Sequence, residues 1–90
     1  MHFSKQDLTG KKYVWVETSA GMYTGDPSRR IFDKYNGFQV LFIINACSVY
    51  TEKFSSGLGR MIEQKLHERL PEDIKSEIAV LNWIKNYVIG

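Results

Sequence analysis

The sequence predicts an α+β fold, in which a small antiparallel sheet packs against two C-terminal amphipathic helices. We expect about three strands within residues 12–45 and helices at about residues 57–70 and 72–88. Short runs of β-branched and aromatic residues, separated by Gly, Asn and Pro, predict the strands. Apolar residues that recur at helical spacing after Ser56, with an interruption at Pro71, predict the helices.

Length and composition indicate one small domain, residues 1–90, with a limited core. Twelve basic and ten acidic residues give a net charge of +2, which argues against a polybasic protein. A single cysteine, Cys47, excludes an intrachain disulfide and so a disulfide-stapled scaffold. The polar first residues lack a signal-peptide pattern, and the apolar run at residues 40–44 is far shorter than a membrane helix. We therefore expect a cytoplasmic protein without membrane association.

The first half of the chain contains the predicted strands. Residues 12–18 read as a first strand and residues 22–24 as a short second one. The sequence Tyr35-Asn36-Gly37-Phe38 predicts a hairpin, because Asn-Gly accepts the positive φ angles of a type I′ turn. The alternative is a short helix that is capped by Asp26, begins at Pro27 and ends at Gly37. We favour the hairpin.

The apolar run after the Asn-Gly pair is ambiguous. Residues 38–45 match a strand that is buried on both faces, and the β-branched residues support that interpretation. A buried helix capped by Asn36, with Gln39 three residues later, fits the same residues. If residues 38–49 are helical, the fold becomes a small hairpin on a three-helix core. We favour the strand.

Both C-terminal helices have recognisable ends. Ser55-Ser56-Gly57 suits a helix start, Pro71 ends the first pattern, and Glu72 and Asp73 suit the beginning of the second. The apolar stripe of the first helix comprises Leu58, Met61, Ile62, Leu66 and Leu70. Its opposite, polar face comprises Arg60, Glu63, Gln64, His67 and Glu68.

The last helix suggests a function, because its apolar arc is wider than the ~100° that covering one side of a core requires. We expect Val80, Trp83 and Tyr87 to bind a partner, since Trp and Tyr are favoured interface anchors. The first hypothesis is therefore a non-enzymatic protein-interaction module, a homodimer or an adaptor with a regulatory role. The alternative interpretation is that the N-terminal residues and the other helix cover the additional apolar surface of the last helix.

A second hypothesis is a small regulatory protein that binds nucleic acid. Cations that are interleaved with aromatic residues bind phosphates while Trp15 or Tyr35 stacks on bases. The simpler interpretation is a solvated sheet edge. The cations concerned are Lys11, Lys12, Arg29, Arg30 and Lys34.

No motif predicts catalysis, a cofactor or a metal. The segment from Gly57 to Arg60 has two glycines, but Ile62 replaces the third glycine of a dinucleotide fingerprint, and no Gly-Lys-Ser/Thr follows. The single cysteine and the two histidines, His2 and His67, have no metal-ligand spacing. We therefore predict no catalytic residues, no metal site and no cofactor.

Overall fold

A computed structural model of the chain describes residues 3, 7–8, 13–15, 27–51 and 54–89. These residues form three helices: α1 (Gly37–Cys47), α2 (Ser56–Glu68) and α3 (Glu77–Ile84). A 3-10 turn (Ser48–Tyr50) follows α1, and a π-helical turn (Lys85–Ile89) continues α3. None of the described helices combines the length and the hydropathy needed to cross a bilayer.

The predicted sheet is wrong, and with it the α+β class. Across the described ranges the chain is mostly helical, and its β pairing is limited to two isolated bridges. Val14 pairs in parallel with Asn36, and Ile31 pairs antiparallel with Ser76. Residues 12, 16–18 and 22–24 of the two predicted strands lie outside the described residues.

The Asn-Gly pair begins a helix instead of turning a hairpin. Asn36 has extended backbone angles (φ −88°, ψ 107°), and its side chain accepts a hydrogen bond from the Phe38 N–H at 3.2 Å. It is therefore the N-cap of α1, a position that asparagine favours as strongly as a turn. The alternative helix from Pro27 to Gly37 is also absent, since residues 27–36 are irregular.

Helix α1 occupies the centre of the core, which explains its continuous apolar sequence. Val40, Ile43, Ile44 and Cys47 have no solvent-accessible surface. A helix buried on most sides needs no polar stripe, so its sequence resembles that of a buried strand. The helical alternative for this segment was the right one.

Helix α2 agrees with its prediction to within two residues at each end. The Ser55 side chain accepts from the Leu58 N–H at 3.2 Å, and the helix ends at Glu68, ahead of Pro71. Ile62 and Leu66 are fully buried as expected, but so is Glu63, which was assigned to the polar face.

Helix α3 begins five residues later than predicted. Glu72 and Asp73 lie in a turn closed by a hydrogen bond from the Ile74 N–H to the Pro71 carbonyl at 3.1 Å. The N-cap is Ser76, whose hydroxyl accepts from the Ala79 N–H at 3.2 Å. Side-chain capping at Ser76 thus outweighs the dipole preference of two acidic residues.

The irregular segment 27–36 is held in place by Glu77, which is fully buried. Its carboxylate accepts from the Ser28 N–H at 3.1 Å and from Gln39 Nε2 at 2.8 Å, and it lies 3.5 Å from the Arg30 guanidinium. The backbone adds a bond from the Glu77 N–H to the Arg30 carbonyl at 2.8 Å. These contacts fix the segment against both α1 and α3.

Phe3 completes the core from the N-terminal side. Its ring is fully buried and meets Phe54 edge to face at 6.4 Å. Its backbone N–H donates to Asn45 Oδ1 at 2.7 Å, and its carbonyl accepts from Asn45 Nδ2 at 2.8 Å. The ring lies directly over Gly59, where an added Cβ would overlap it.

We expect Gly59→Ala to destabilise the fold although Ala is the better helix former. Overpacking against Phe3 costs about 1–3 kcal/mol, more than the gain of about 1 kcal/mol from helix propensity. Gly57→Ala is the matched control, because its Cβ would come no closer than 3.7 Å to Ser55 Oγ. The free energies of urea unfolding should fall for Gly59→Ala and rise slightly for Gly57→Ala. Equal values would contradict the packing of Phe3 on α2.

Candidate functional site

A hydrogen-bonded cluster of three polar side chains forms where the N-terminal segment crosses α2. Glu63 and His67 are four residues apart on α2, so they share one face of the helix. The Tyr13 hydroxyl donates to Glu63 Oε2 in a short hydrogen bond and lies 2.8 Å from His67 Nε2. The cluster joins residues that are about fifty positions apart in the sequence.

The proton positions in this cluster follow from the donor inventory. The Tyr13 hydroxyl has a single proton, and it is directed to the Glu63 carboxylate. The contact with His67 is then a hydrogen bond only if Nε2 carries a proton and donates to the Tyr13 oxygen. The arrangement therefore runs from the imidazole through the phenol to the carboxylate.

Burial keeps both titratable partners of Glu63 neutral at pH 7. It lowers the pKa of His67 from its usual 6.5, although Glu63 acts in the opposite direction and Lys34 adds to the lowering. Burial also raises the pKa of Tyr13, and the hydrogen bond and the charge of Glu63 raise it further. Tyr13 is consequently a poor nucleophile and a poor acid.

Aromatic rings surround His67. The Tyr13 ring meets the imidazole edge-on with a centroid distance of 5.4 Å, and the Tyr35 ring lies 5.8 Å away at 54°. Trp15 extends the group by packing 5.9 Å from Tyr13 and 5.1 Å from Phe38. These contacts hold the imidazole in a half-buried position.

Lys34 approaches the cluster from the irregular segment. Its Nζ donates to the His67 carbonyl at 3.4 Å and lies 5.6 Å from the centre of the Tyr35 ring. Lys34 and Tyr35 thus both contact His67. Both residues also line a groove.

The groove is open, has a volume of about 510 Å³, and runs between residues 31–35 and residues 70–75. Two of its apolar side chains are well exposed, Ile31 at 77% and Tyr35 at 52%. Both signs of charge are present along it. The described lining residues are Ile31, Phe32, Asp33, Lys34, Tyr35, Leu70, Pro71, Glu72, Ile74 and Lys75.

The cluster and the groove are neighbours but not one site. Of the described residues, those lining the groove include Tyr35 and Lys34 but not Tyr13, Glu63 or His67. The imidazole is therefore behind the groove wall and not in contact with a molecule bound in the groove. Tyr35 and Lys34 are the groove-lining residues that also contact His67.

The predicted partner-binding residues of the last helix have different environments. Val80 is fully buried in the core, so it presents no surface to a partner. Trp83 is half-buried, and Tyr87 is 77% exposed. Their rings pack 6.5 Å apart at 37°. Binding by these two aromatic residues stays a prediction.

The predicted phosphate-binding cations do not form one described patch. Arg29 is exposed, whereas Arg30 pairs with Glu77 and Lys34 bonds to the His67 carbonyl. Lys11 and Lys12 lie outside the described residues.

Cys47 and His67 take part in separate structures. Cys47 is buried in the core, and burial raises the pKa of its thiol to about 12, although Lys85 lowers it in part. Within the described ranges, no group of three or more His, Cys, Asp or Glu residues is arranged to hold a metal ion. His2 lies outside those ranges.

Comparisons with protein-family models, with curated proteins and with solved structures found no match. The function proposed below is therefore argued from the contacts and the exposed surfaces of the chain itself.

We expect His67 to titrate below 6.5 in a two-dimensional NMR pH series, with His2→Gln used to assign the signal. Glu63→Gln should lower this pKa further, because it removes a favourable charge, and Lys34→Met should raise it. Because folding lowers the pKa of His67, the contribution of the neutral imidazole to the free energy of unfolding is complete above pH 6.5. It is lost as the pH falls through the pKa of His67 in the folded protein. A His67 pKa at or above 6.5 would contradict the buried position.

Proposed function

We propose that this chain is a non-enzymatic protein-interaction module that binds a short apolar segment of a partner protein in the groove between residues 31–35 and 70–75. One observation carries the proposal: Ile31 and Tyr35 remain largely exposed although they line a concave surface. Exposed apolar surface with a polar rim is typical of interaction sites. A cytoplasmic location is part of the same proposal.

The groove offers a suitable anchor point for an apolar side chain. Burying an exposed isoleucine contributes about 1.5–3 kcal/mol, so covering Ile31 favours binding substantially. Tyr35 adds a large ring that is restrained on one side by His67, and tyrosine is enriched among residues that dominate binding energies. The opposite wall includes Leu70, Pro71 and Ile74, which supply apolar contacts. The ring of Pro71 also restricts the backbone of that wall.

The rim charges support an oriented partner. Lys34 and Asp33 lie on one wall, and Lys75 and Glu72 lie on the other. Charges of both signs at the edge of an interface contribute to orientation and specificity more than to affinity. A segment with one or two apolar anchors flanked by charged residues fits this distribution.

Two other hypotheses rank lower. Nucleic-acid binding needs free cations, and the intramolecular contacts of Arg30 and Lys34 compete with phosphate. Self-association through Trp83 and Tyr87 has the exposure of Tyr87 in its favour. It stays the second candidate, with the solution mass over a concentration series as its test.

We expect display of a random twelve-residue peptide library against the protein to select peptides that contain apolar or aromatic residues. Ile31→Ser and Tyr35→Ser should each weaken a selected peptide at least about tenfold, the loss typical of an interface anchor. Val49→Ser is the matched control, because Val49 is 80% exposed but does not line the groove. Calorimetry gives the affinities, and circular dichroism verifies that each variant is folded.

The location of the bound peptide decides the result. Amide shift changes should concentrate in residues 31–35 and 70–75. Changes centred on Trp83 and Tyr87, or a failure to select any peptide, would overturn the groove proposal.

A further inference from the structure

We propose that His67 is a pH switch for the groove: its protonation displaces the Lys34 side chain from the Tyr35 ring, and so alters the wall against which a partner binds. The inference rests on the proposed function for its biological consequence. Its structural part concerns the free protein alone.

The geometry joins His67 to the groove through two residues. Tyr35 packs on the imidazole with one side and lines the groove with the other. Lys34 donates to the His67 carbonyl at 3.4 Å and also lines the groove. The backbone of this wall is held in place, because the Phe32 N–H donates to the Lys75 carbonyl at 2.7 Å and the Val14 N–H donates to the Tyr35 carbonyl at 2.8 Å. A change at His67 therefore acts on the side chains of the wall.

The charges that face His67 determine which side moves. Among the described residues these are Glu63 and the Tyr13 hydroxyl on one side, with Lys34 and the Tyr35 ring on the other. An imidazolium is attracted by the Glu63 carboxylate and repelled by the Lys34 ammonium. Glu63 is fixed in α2 and buried, whereas Lys34 is half-buried on an irregular segment. The Lys34 side chain is therefore the group that gives way, and its Nζ leaves its position 5.6 Å from the centre of the Tyr35 ring.

A partner in the groove strengthens the coupling. Covering Tyr35 and Lys34 removes water from the wall between His67 and the groove, and a drier environment disfavours the cation further. Protonation and binding then oppose each other, as linkage requires. Because the pKa of His67 is then lower in the bound state than in the free state, the affinity falls as the pH is lowered from 7.5 to 5.5.

The first experiment uses the free protein. NMR signals of the Tyr35 ring and the Lys34 side chain are followed from pH 7.5 to pH 5.0 together with the His67 ring. We expect all three to share one midpoint, which Glu63→Gln moves to lower pH and His2→Gln leaves in place. In His67→Gln the transition of Tyr35 and Lys34 should disappear. Wall signals that do not follow His67 overturn the switch, whatever peptides do.

The second experiment measures a peptide selected from the twelve-residue library at pH 7.5 and pH 5.5. The affinity should fall about twofold to fivefold for the parent and for His2→Gln, and should stay constant for His67→Gln. Equal affinity at both pH values in the parent overturns the switch as a control of binding. If no peptide is selected while the wall signals follow His67, the proposed function fails and the switch of the wall stands.

Discussion

The buried carboxylate of Glu77 is the constraint on which the rest of the molecule depends. Residues 27–36 form neither helix nor strand, yet they carry one wall of the groove. Their position is fixed because Glu77 gathers Ser28, Arg30 and Gln39 around one charge at the beginning of α3. The helix dipole favours a negative charge there, and the surrounding donors compensate for its removal from water. A single side chain thus links α1, α3 and the wall of the groove.

How well each helix could be predicted from the sequence depended on how much of its surface is exposed to solvent. Helix α2 has one solvated face, so its apolar spacing and the Ser55 cap located it closely. Helix α1 is largely enclosed and has no such periodicity, and Asn36 is equally suited to a hairpin turn and to a helix cap. The start of α3 was misplaced because two acidic residues precede Ser76, and local preference could not rank the competing starts.

The candidate site was less accessible to sequence reasoning than the fold. The spacing of Glu63 and His67 placed them correctly on one face of a helix, but their polarity suggested that this face was solvated. Tyr13, about fifty residues earlier in the sequence, covers this face of α2, and no local sequence pattern predicts that contact. The groove is equally non-local, since it forms where residues 31–35 meet the turn after Pro71. Loop segments brought together by a buried charge leave no periodic signal in the chain.

The buried thiol of Cys47 provides a native probe for opening of the core. It is the only cysteine in the chain, and its sulfur sits at the end of the central helix without contact to solvent. An alkylating reagent reaches that sulfur only when α1 separates from its neighbours, and the thiol becomes reactive only in that opened form. The labelling rate under native conditions therefore yields the free energy of that separation. No engineered probe or denaturant is needed, and every variant that retains Cys47 can be ranked on the same scale.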